Sequence, residues 1–393
     1  MKKSIKDYDL NNKKVIIRCD FNVPIMDNKI TDDSRIVSSI PTIKYAIDNN
    51  AKVILLSHLG RIKSSEDKVK NDLSIIIPRL ESLLNKKVTF VNETRGKNLE
   101  DAISNMKNQD VILVQNTRYE DLDNKKESSN DKELGAYWAK LGDIFINDAF
   151  GTLHRAHASN VGIASNIPSG VGLLVEKELT NLKELDNPKQ PFIVILGGAK
   201  ISDKIGVVKT LVEKADYLLI GGGMAFTFLK AQGKNIGTSV LDEESIAFAK
   251  EMLNKSNDKI ILPIDVKVTT TFSNDGSNRI TNIDDIKDDE MGLDIGPKTI
   301  ELFKKYLNQA KTIFWNGTLG YSEFSNYEDG TKNIMEYIVN KDAISILGGG
   351  DTVAAAAKFK VKDKVYHAST GGGATLEYIE DPNLPGLVSI NDK

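Results

Sequence analysis

Cysteine is almost missing. Cys19 is the only one in 393 residues, so no intrachain disulfide can brace the fold. No apolar run reaches the roughly 20 residues that a membrane-spanning helix needs. The first residues, MKKSIKDYDLNNKK, hold none of the apolar core of a secretory leader, so the expected location is the cytoplasm. A surplus of positive charge is missing too. The formal net charge of −3 excludes a global field that would draw the chain to nucleic acid or to a membrane surface. Arginine is scarce: of 52 Lys+Arg only eight are arginine, and seven of those lie before residue 160. Lysine serves almost wherever a positive charge is enough. Each arginine therefore marks a place where a flat, two-pronged donor for phosphate or carboxylate is worth looking for. Two common nucleotide signatures are also lacking, GxxxxGK[ST] and GxGxxG with a following ribose-binding acid.

What is present describes a globular chain. Hydrophobic residues make up 40% and charged residues 27%, enough to bury real cores, and the length predicts two domains. Short β-branched runs alternate with amphipathic segments. KVIIRCD (14–20), VILLS (53–57), VILVQ (111–115), DIFIND (143–148), FIVILGG (192–198), YLLIGG (217–222), IILPIDV (260–266), TIFWNG (312–317), ISILGGG (344–350) and VYHAST (365–370) read as strands. SIIIPRLESLLN, VVKTLVEKA, SIAFAKEMLNK and KTIELFKKYLNQ read as helices. Strand and helix in alternation predict an α/β fold of mostly parallel sheets with helices on both faces. Near residue 170 the character changes. VGLLVEKELTNLKELDNPKQP predicts a long helix stopped at Asn187-Pro188; arginines lie before it and glycine clusters after it. We place the domain boundary on that helix, with 1–170 before it and 171–371 from it onward.

Ligands of open α/β sheets bind beyond the carboxyl ends of the strands. In the first half those ends deliver Asp20 and Asn22, then His58 and Arg61, then Asn116 and Arg118, then Asp148, His154, Arg155 and His157, with Arg35 opening the first helix. Gathered at one edge, four arginines and up to three histidines repel unless an anion neutralises them, which points to a small phosphate ester carrying a carboxylate. The H-x-x-H of His154 and His157 leaves a metal pair and a plain structural role open beside anion binding, although a third ligand at metal spacing is lacking. In the second half, VILGGAKISDKI, LGGGDTVAAAAKF and STGGGATLEYIE are glycine-rich strand-to-helix turns. Such turns let a polyphosphate approach the backbone at a helix N-terminus. Lys200 and Lys204 share a helix face there, and Asp351 reads either as a helix cap or as an Mg²⁺ ligand beside nucleotide phosphates.

Taken in order, RCDFNVP, SHLGR, NDAFGTLHRAHAS, VEKEL, LGGAKISDKI, GGGMAFTFL, LPIDV, WNGTLGYSEF, GGGDTVAAAAK and STGGGA closely resemble the phosphoglycerate kinase family over essentially the whole chain. The resemblance implies two Rossmann-like lobes joined by a hinge helix, with a C-terminal tail, about 372–393, returning to the first lobe. It implies a glycolytic and gluconeogenic enzyme: reversible, Mg²⁺-dependent phosphoryl transfer between 1,3-bisphosphoglycerate and ADP, giving 3-phosphoglycerate and ATP, by a monomer whose lobes close on the two ligands. It assigns phosphoglycerate to Asp20, Phe21, Asn22, Arg35, His58, Leu59, Gly60, Arg61, Arg118 and Arg155. It assigns the nucleotide to Gly198, Lys200, Lys204, Gly222, Gly292, Asn316, Glu323, Gly349, Gly350, Asp351 and Thr352, with the metal on Asp351. Arg35, Lys200, Lys204 and Gly371, Gly372 and Gly373 are its catalytic positions. The chain departs from the family's pattern at QNTRYE, at Thr318 where proline is usual, and at Tyr321-Ser322. The competing readings fit less well. A dinucleotide dehydrogenase needs the missing fingerprint, and a two-lobed solute-binding protein has no use for a second glycine-rich site.

Overall fold

Apolar runs too short for helices become parallel strands. In the computed structural model, which describes residues 1–393, β1 (Lys14–Arg18), β2 (Lys52–Leu56), β3 (Thr89–Val91), β4 (Val111–Val114), β5 (Ile144–Asn147) and β6 (Ser169–Val171) form one sheet. Its order is β3-β4-β2-β1-β5-β6, parallel throughout. The strands β4 and β5 are buried at every position, as strands covered on both faces must be. A second sheet joins β7 (Phe192–Leu196), β8 (Tyr217–Ile220) and β9 (Ile260–Ile261) to three later strands. All three arise only after the chain has formed a separate antiparallel layer of β10 (Asp265–Thr269), β11 (Asn278–Asn282) and β12 (Met291–Ile295). The later strands are β13 (Thr312–Asn316), β14 (Ile344–Gly348) and β15 (His367–Ala368), and the order is β9-β8-β7-β13-β14-β15, again parallel.

The run 260–266, expected as one strand, is divided. Pro263 has no N–H to give a ladder, and the chain turns there from the edge of the parallel sheet into the antiparallel one. In both parallel sheets the strand order reverses beside a central strand. One reversal lies between β1 and β5 and the other between β7 and β13, and a ligand crevice opens at such a reversal.

Backbone contacts divide the chain into Met1–Leu179 with Asn383–Lys393, and Thr180–Pro382. The division falls inside the helix that follows β6, not at 170/171. That helix, Leu173–Leu182, starts firmly within the first unit. Leu173 N donates to Thr42 Oγ1 at 2.9 Å and Leu174 N to Asp148 Oδ1 at 2.9 Å. It is shorter than the sequence predicts, giving way to a 3₁₀ turn at Lys183–Leu185 before Asn187-Pro188. The tail that returns to the first unit starts at Asn383 rather than near 372. Residues Gly373–Glu380 form a helix of the second unit, packed so closely on the helix Ile205–Lys214 that a Cβ on Gly206 would lie 2.1 Å from Glu380 Oε2. Beyond Asn383 the chain pairs with its own beginning and with the loop after β5: Lys3 N donates to Asn391 O at 2.9 Å, and Gly386 N to Leu153 O at 2.8 Å. No helix is long and apolar enough to cross a membrane.

Candidate active site

In the first unit, the loops after β1, β2, β4 and β5 interlock. Asn116, just beyond β4, is fully buried and pegs the loop after β2 to its own. Its Oδ1 accepts from Leu59 N at 3.2 Å and from Arg118 N at 3.1 Å, and its Nδ2 donates to Leu59 O at 2.7 Å. Gly60, at φ +60°, donates its N–H to Asn22 Oδ1 at 2.8 Å, and its carbonyl accepts from Arg118 Nη1 at 3.2 Å. The backbone groups of Phe21, Leu59 and Gly60 are thus engaged within the loops. Phe21 N, the third of them, donates to Ser57 Oγ at 2.8 Å. They frame the cradle, while the side chains of Asn22, Arg118 and the other polar residues supply its chemistry.

Arg35, in the first turn of the helix Ser34–Asp48, donates to Asp20 Oδ2 at 2.6 Å, and 37% of its side chain stays exposed. Arg118 is buried, and its Nε has no hydrogen-bond partner. Arg155 is exposed and its Nε reaches His154 Nε2 at 3.0 Å. Arg61 is exposed at the end of the Gly60 loop. Two other arginines of this half are spent on ordinary ion pairs, Arg79 with Asp33 at 2.5 Å and Arg95 with Glu120 at 2.9 Å.

The imidazoles record how tightly the positive groups cluster. Burial, then Arg18, Arg118, His157 and Arg35 hold His58 well below its ordinary value. Burial, then Arg18, Arg118 and Arg155 pull His157 down to about 3. Burial and Arg155 pull His154 down to about 4. At neutral pH all three rings are therefore uncharged, and the positive charge is guanidinium alone. No group of three His, Cys, Asp or Glu side chains is placed to hold a metal, which closes the metal reading of H-x-x-H.

Arg18, Glu127 and Ser159 are absent from the sequence-based site, and they lie directly beneath it. Arg18 Nε donates to Ser159 Oγ at 2.8 Å, and Arg18 Nη2 stands 3.3 Å from His58 Nδ1. An arginine in an otherwise apolar central strand was the available signal for Arg18. For Glu127, within a polar loop, there was none.

In the second unit, the strand reversal between β7 and β13 forms a cleft of about 280 Å³. Gly198, Gly222, Gly292, Glu323 and Asp351 line it, together with Phe226, Phe272, Leu293 and Tyr321. The walls are glycine backbone at one end and apolar or aromatic side chains at the other; Phe272 and Tyr321 meet edge to face at 4.9 Å. Gly222, at φ +64°, could take no Cβ, which would fall 2.7 Å from Thr318 O. The Thr318 departure leaves this frame intact, because the residue contributes its carbonyl, accepting from Gly198 N at 3.0 Å, and proline would supply the same atom.

Lys204 Nζ sits at the reversal itself, donating to Gly197 O at 2.6 Å and to Asn316 O at 3.4 Å. Burial pulls its pKa down to about 8, against the opposing pull of Asp351 and Asp203. Asn316 is buried beside Gly349, and Thr352 Oγ1 accepts from Gly317 N at 2.7 Å, so those residues fasten the helix Gly350–Lys358 to the end of β13. Asp351 is the second residue of that helix, whose N-cap is Gly349, and it stays exposed, which removes the cap reading. Gly350 is exposed beside it. Lys200 is exposed away from the cleft lining, in the field of Asp242. Gly371, Gly372 and Gly373 leave β15 next to the Gly349 turn, since Ser369 N donates to Leu347 O at 2.8 Å, and Gly372 takes φ +54° to open the helix Gly373–Glu380.

A family model described as phosphoglycerate kinase matches residues 5–382. The chain belongs to the phosphoglycerate kinase family. Phosphoglycerate kinases of Enterococcus faecalis and Fusobacterium nucleatum are 57% and 56% identical to it, each over the full length of both chains. Among solved structures, phosphoglycerate kinase from Coxiella burnetii matches with TM-score 0.88 at 38% identity, covering 99% of this chain and 98% of that one. The Pyrococcus horikoshii enzyme matches with TM-score 0.86 at 29% identity, covering 98% of both. The chain is accordingly a glycolytic kinase, a phosphotransferase with a carboxyl group as acceptor, and the two parallel sheets are the family's two-lobed α/β fold.

Proposed function

We propose that the chain transfers a phosphoryl group reversibly between 1,3-bisphosphoglycerate and ADP, giving 3-phosphoglycerate and ATP, with phosphoglycerate held on the first unit and nucleotide on the second. The observation that carries this reading is Arg118 Nε, a buried cationic donor with no partner inside a cradle of guanidinium groups and neutral imidazoles. Such a site is complete only when an anion supplies the acceptor. Asp20 and Asn22 orient the glycerate hydroxyl end, Arg118, Arg155 and Arg61 hold the phosphate, and His58 donates from a neutral ring. On the second unit, the aromatic and apolar part of the cleft takes the base. Gly198, Gly222 and Gly292 let the nucleotide close on the backbone, and Glu323 binds the ribose. Asn316, Gly349, Gly350 and Thr352 shape the phosphate end.

Asp351 is an exposed carboxylate near Lys204, outside any group of three acidic or imidazole side chains. It fits an Mg²⁺ ion that arrives on the nucleotide phosphates, because Mg²⁺ is commonly held by one or two carboxylates plus substrate oxygens. Bound there, the ion neutralises phosphate charge. The acceptor for transfer from ATP is a carboxylate, already ionised, so no general base is required. Alignment and charge neutralisation then make up the catalysis. Arg35 and Lys204 neutralise the group in transit, Lys200 reaches it from its exposed turn, and the N–H groups at Gly371–Gly373 receive it at a helix N-terminus. Transfer brings the two ligands into contact, so the units close on them together. Small-angle scattering should show a smaller radius of gyration with both substrates than with either; equal radii would remove closure from the mechanism. We further propose a cytoplasmic monomer.

The test is direct. Protein, Mg-ATP and 3-phosphoglycerate are mixed and acyl phosphate is followed through a coupled dehydrogenase. Formation of acyl phosphate that depends on all three is expected. ATP consumption without acyl phosphate would sink the reading.

A further inference from the structure

His58 rests on a buried hydrogen-bond chain. Glu127 has no exposed surface, and Arg18 has 1%. The Glu127 carboxylate accepts from Ser159 N at 2.9 Å and from the Ser159 hydroxyl. Ser159 Oγ accepts from Arg18 Nε at 2.8 Å. Arg18 Nη1 donates to the carbonyl of Cys19, and Nη2 stands 3.3 Å from His58 Nδ1. A guanidinium offers donors only, so His58 Nδ1 is the acceptor and the ring proton sits on Nε2. Between Glu127, which only accepts, and Arg18, which only donates, every bond runs one way, and Arg18 donates in turn to His58.

We propose that Glu127, acting through Ser159 and Arg18, is a positioning residue that locks His58 in its Nε2–H tautomer as a fixed hydrogen-bond donor in the anion cradle. The chemistry requires a carboxylate. Ser159 presents two donors, N–H and O–H, to two oxygens. An amide has one oxygen, and its NH₂ group would face the second donor. The Ser159 hydroxyl would then turn its proton toward Arg18 Nε, donor against donor, and the guanidinium would leave His58. No closer contact replaces this link: the neutral His157 ring has its Nδ1 3.8 Å from the Glu127 carboxylate, and Arg18 Nη2 is 4.0 Å from it. The role in substrate binding rests on the phosphoglycerate reading above; the tautomer does not.

The test uses the full chain with Glu127→Gln, Ser159→Ala and Glu127→Asp. Long-range ¹H–¹⁵N correlation spectra of the ligand-free protein should show His58 protonated on Nε2 in the wild type and a tautomer mixture in Glu127→Gln and Ser159→Ala. The KM for 3-phosphoglycerate should rise about 10-fold or more, the loss expected for one hydrogen bond to a charged group, while the KM for ATP stays put. Glu127→Asp should recover part of both signals. Four results overturn the proposal: a wild-type His58 protonated on Nδ1; an unchanged tautomer in both disrupting variants; a fall in the phosphoglycerate KM, which would make Glu127 only a charge opposing the anion; or both KM values rising together with the melting temperature falling. If Glu127→Gln does not fold, Ser159→Ala carries the same outcomes. A protein that turns over no phosphoglycerate would refute the functional reading and leave the spectra to decide this one.

Discussion

Replacing Arg35 with alanine should lower kcat by about 10²- to 10³-fold, the 3–4 kcal/mol that a donor aimed at transition-state charge supplies. Two features of the site make the loss catalytic. The Arg35–Asp20 bond at 2.6 Å uses one prong of the guanidinium, and the 37% of the side chain that remains exposed leaves the other prong for a ligand. A half-exposed ion pair of this kind contributes only about 0–1 kcal/mol to stability, so the variant should melt near the wild type. Asp20 is 7% exposed and keeps a second contact, accepting from Asn22 N at 3.2 Å, which limits the disturbance left behind. Arg35→Lys should fall between the two, because an ammonium restores the charge and not the flat fork. A variant with kcat within a few-fold of wild type would remove Arg35 from the reaction and leave it as the orienter of Asp20.

The strands and the cradle were legible because both follow local rules. A β-branched run of five residues announces a buried strand, and a polar residue immediately after it announces a loop at the carboxyl edge. Those two rules place Asp20, His58, Arg118 and Asp351 without any knowledge of pairing. The supports of the site follow no local rule. Glu127 sits in NKKESSND, a polar stretch with the composition of any surface loop, and becomes fully buried only because the chain returns 32 positions later with Ser159. Asn116 reads as a turn residue, and its role as a peg depends on Leu59 and Asn71, which another strand's loop delivers. The tail boundary failed for a similar reason. STGGGATLEYIE resembles the start of a returning tail as much as a helix of the second unit. What decides is the missing side chain at Gly206, against which Glu380 packs. Locally coded elements can be read along the chain, whereas contacts across long sequence separations cannot.

Lys204→Ala should be the most damaging change on the nucleotide side, again about 10²-fold or more in kcat, because it removes a buried cation from the place where phosphoryl charge develops. The two carbonyls that hold its ammonium, Gly197 O at 2.6 Å and Asn316 O at 3.4 Å, stand at the carboxyl ends of the two strands that flank the reversal. The backbone is cleared for it as well: a Cβ on Gly317 would lie 2.7 Å from Nζ. Withdrawal from water pulls the pKa down to about 8, and this gives the prediction a second signature. The group works as a cation, so its active form is the protonated one. In the free enzyme that form is present below about pH 8 and is lost as pH rises through it. The dependence of kcat/KM for ATP, which reports the free enzyme, should therefore bend downward near pH 8. Lys204→Arg keeps a charge that does not titrate in this range and should lose the bend while retaining more activity than Lys204→Ala. A wild-type profile flat to pH 10, or a Lys204→Ala enzyme with ordinary turnover, would show that the ammonium only ties the two strands together and that phosphoryl charge is met elsewhere.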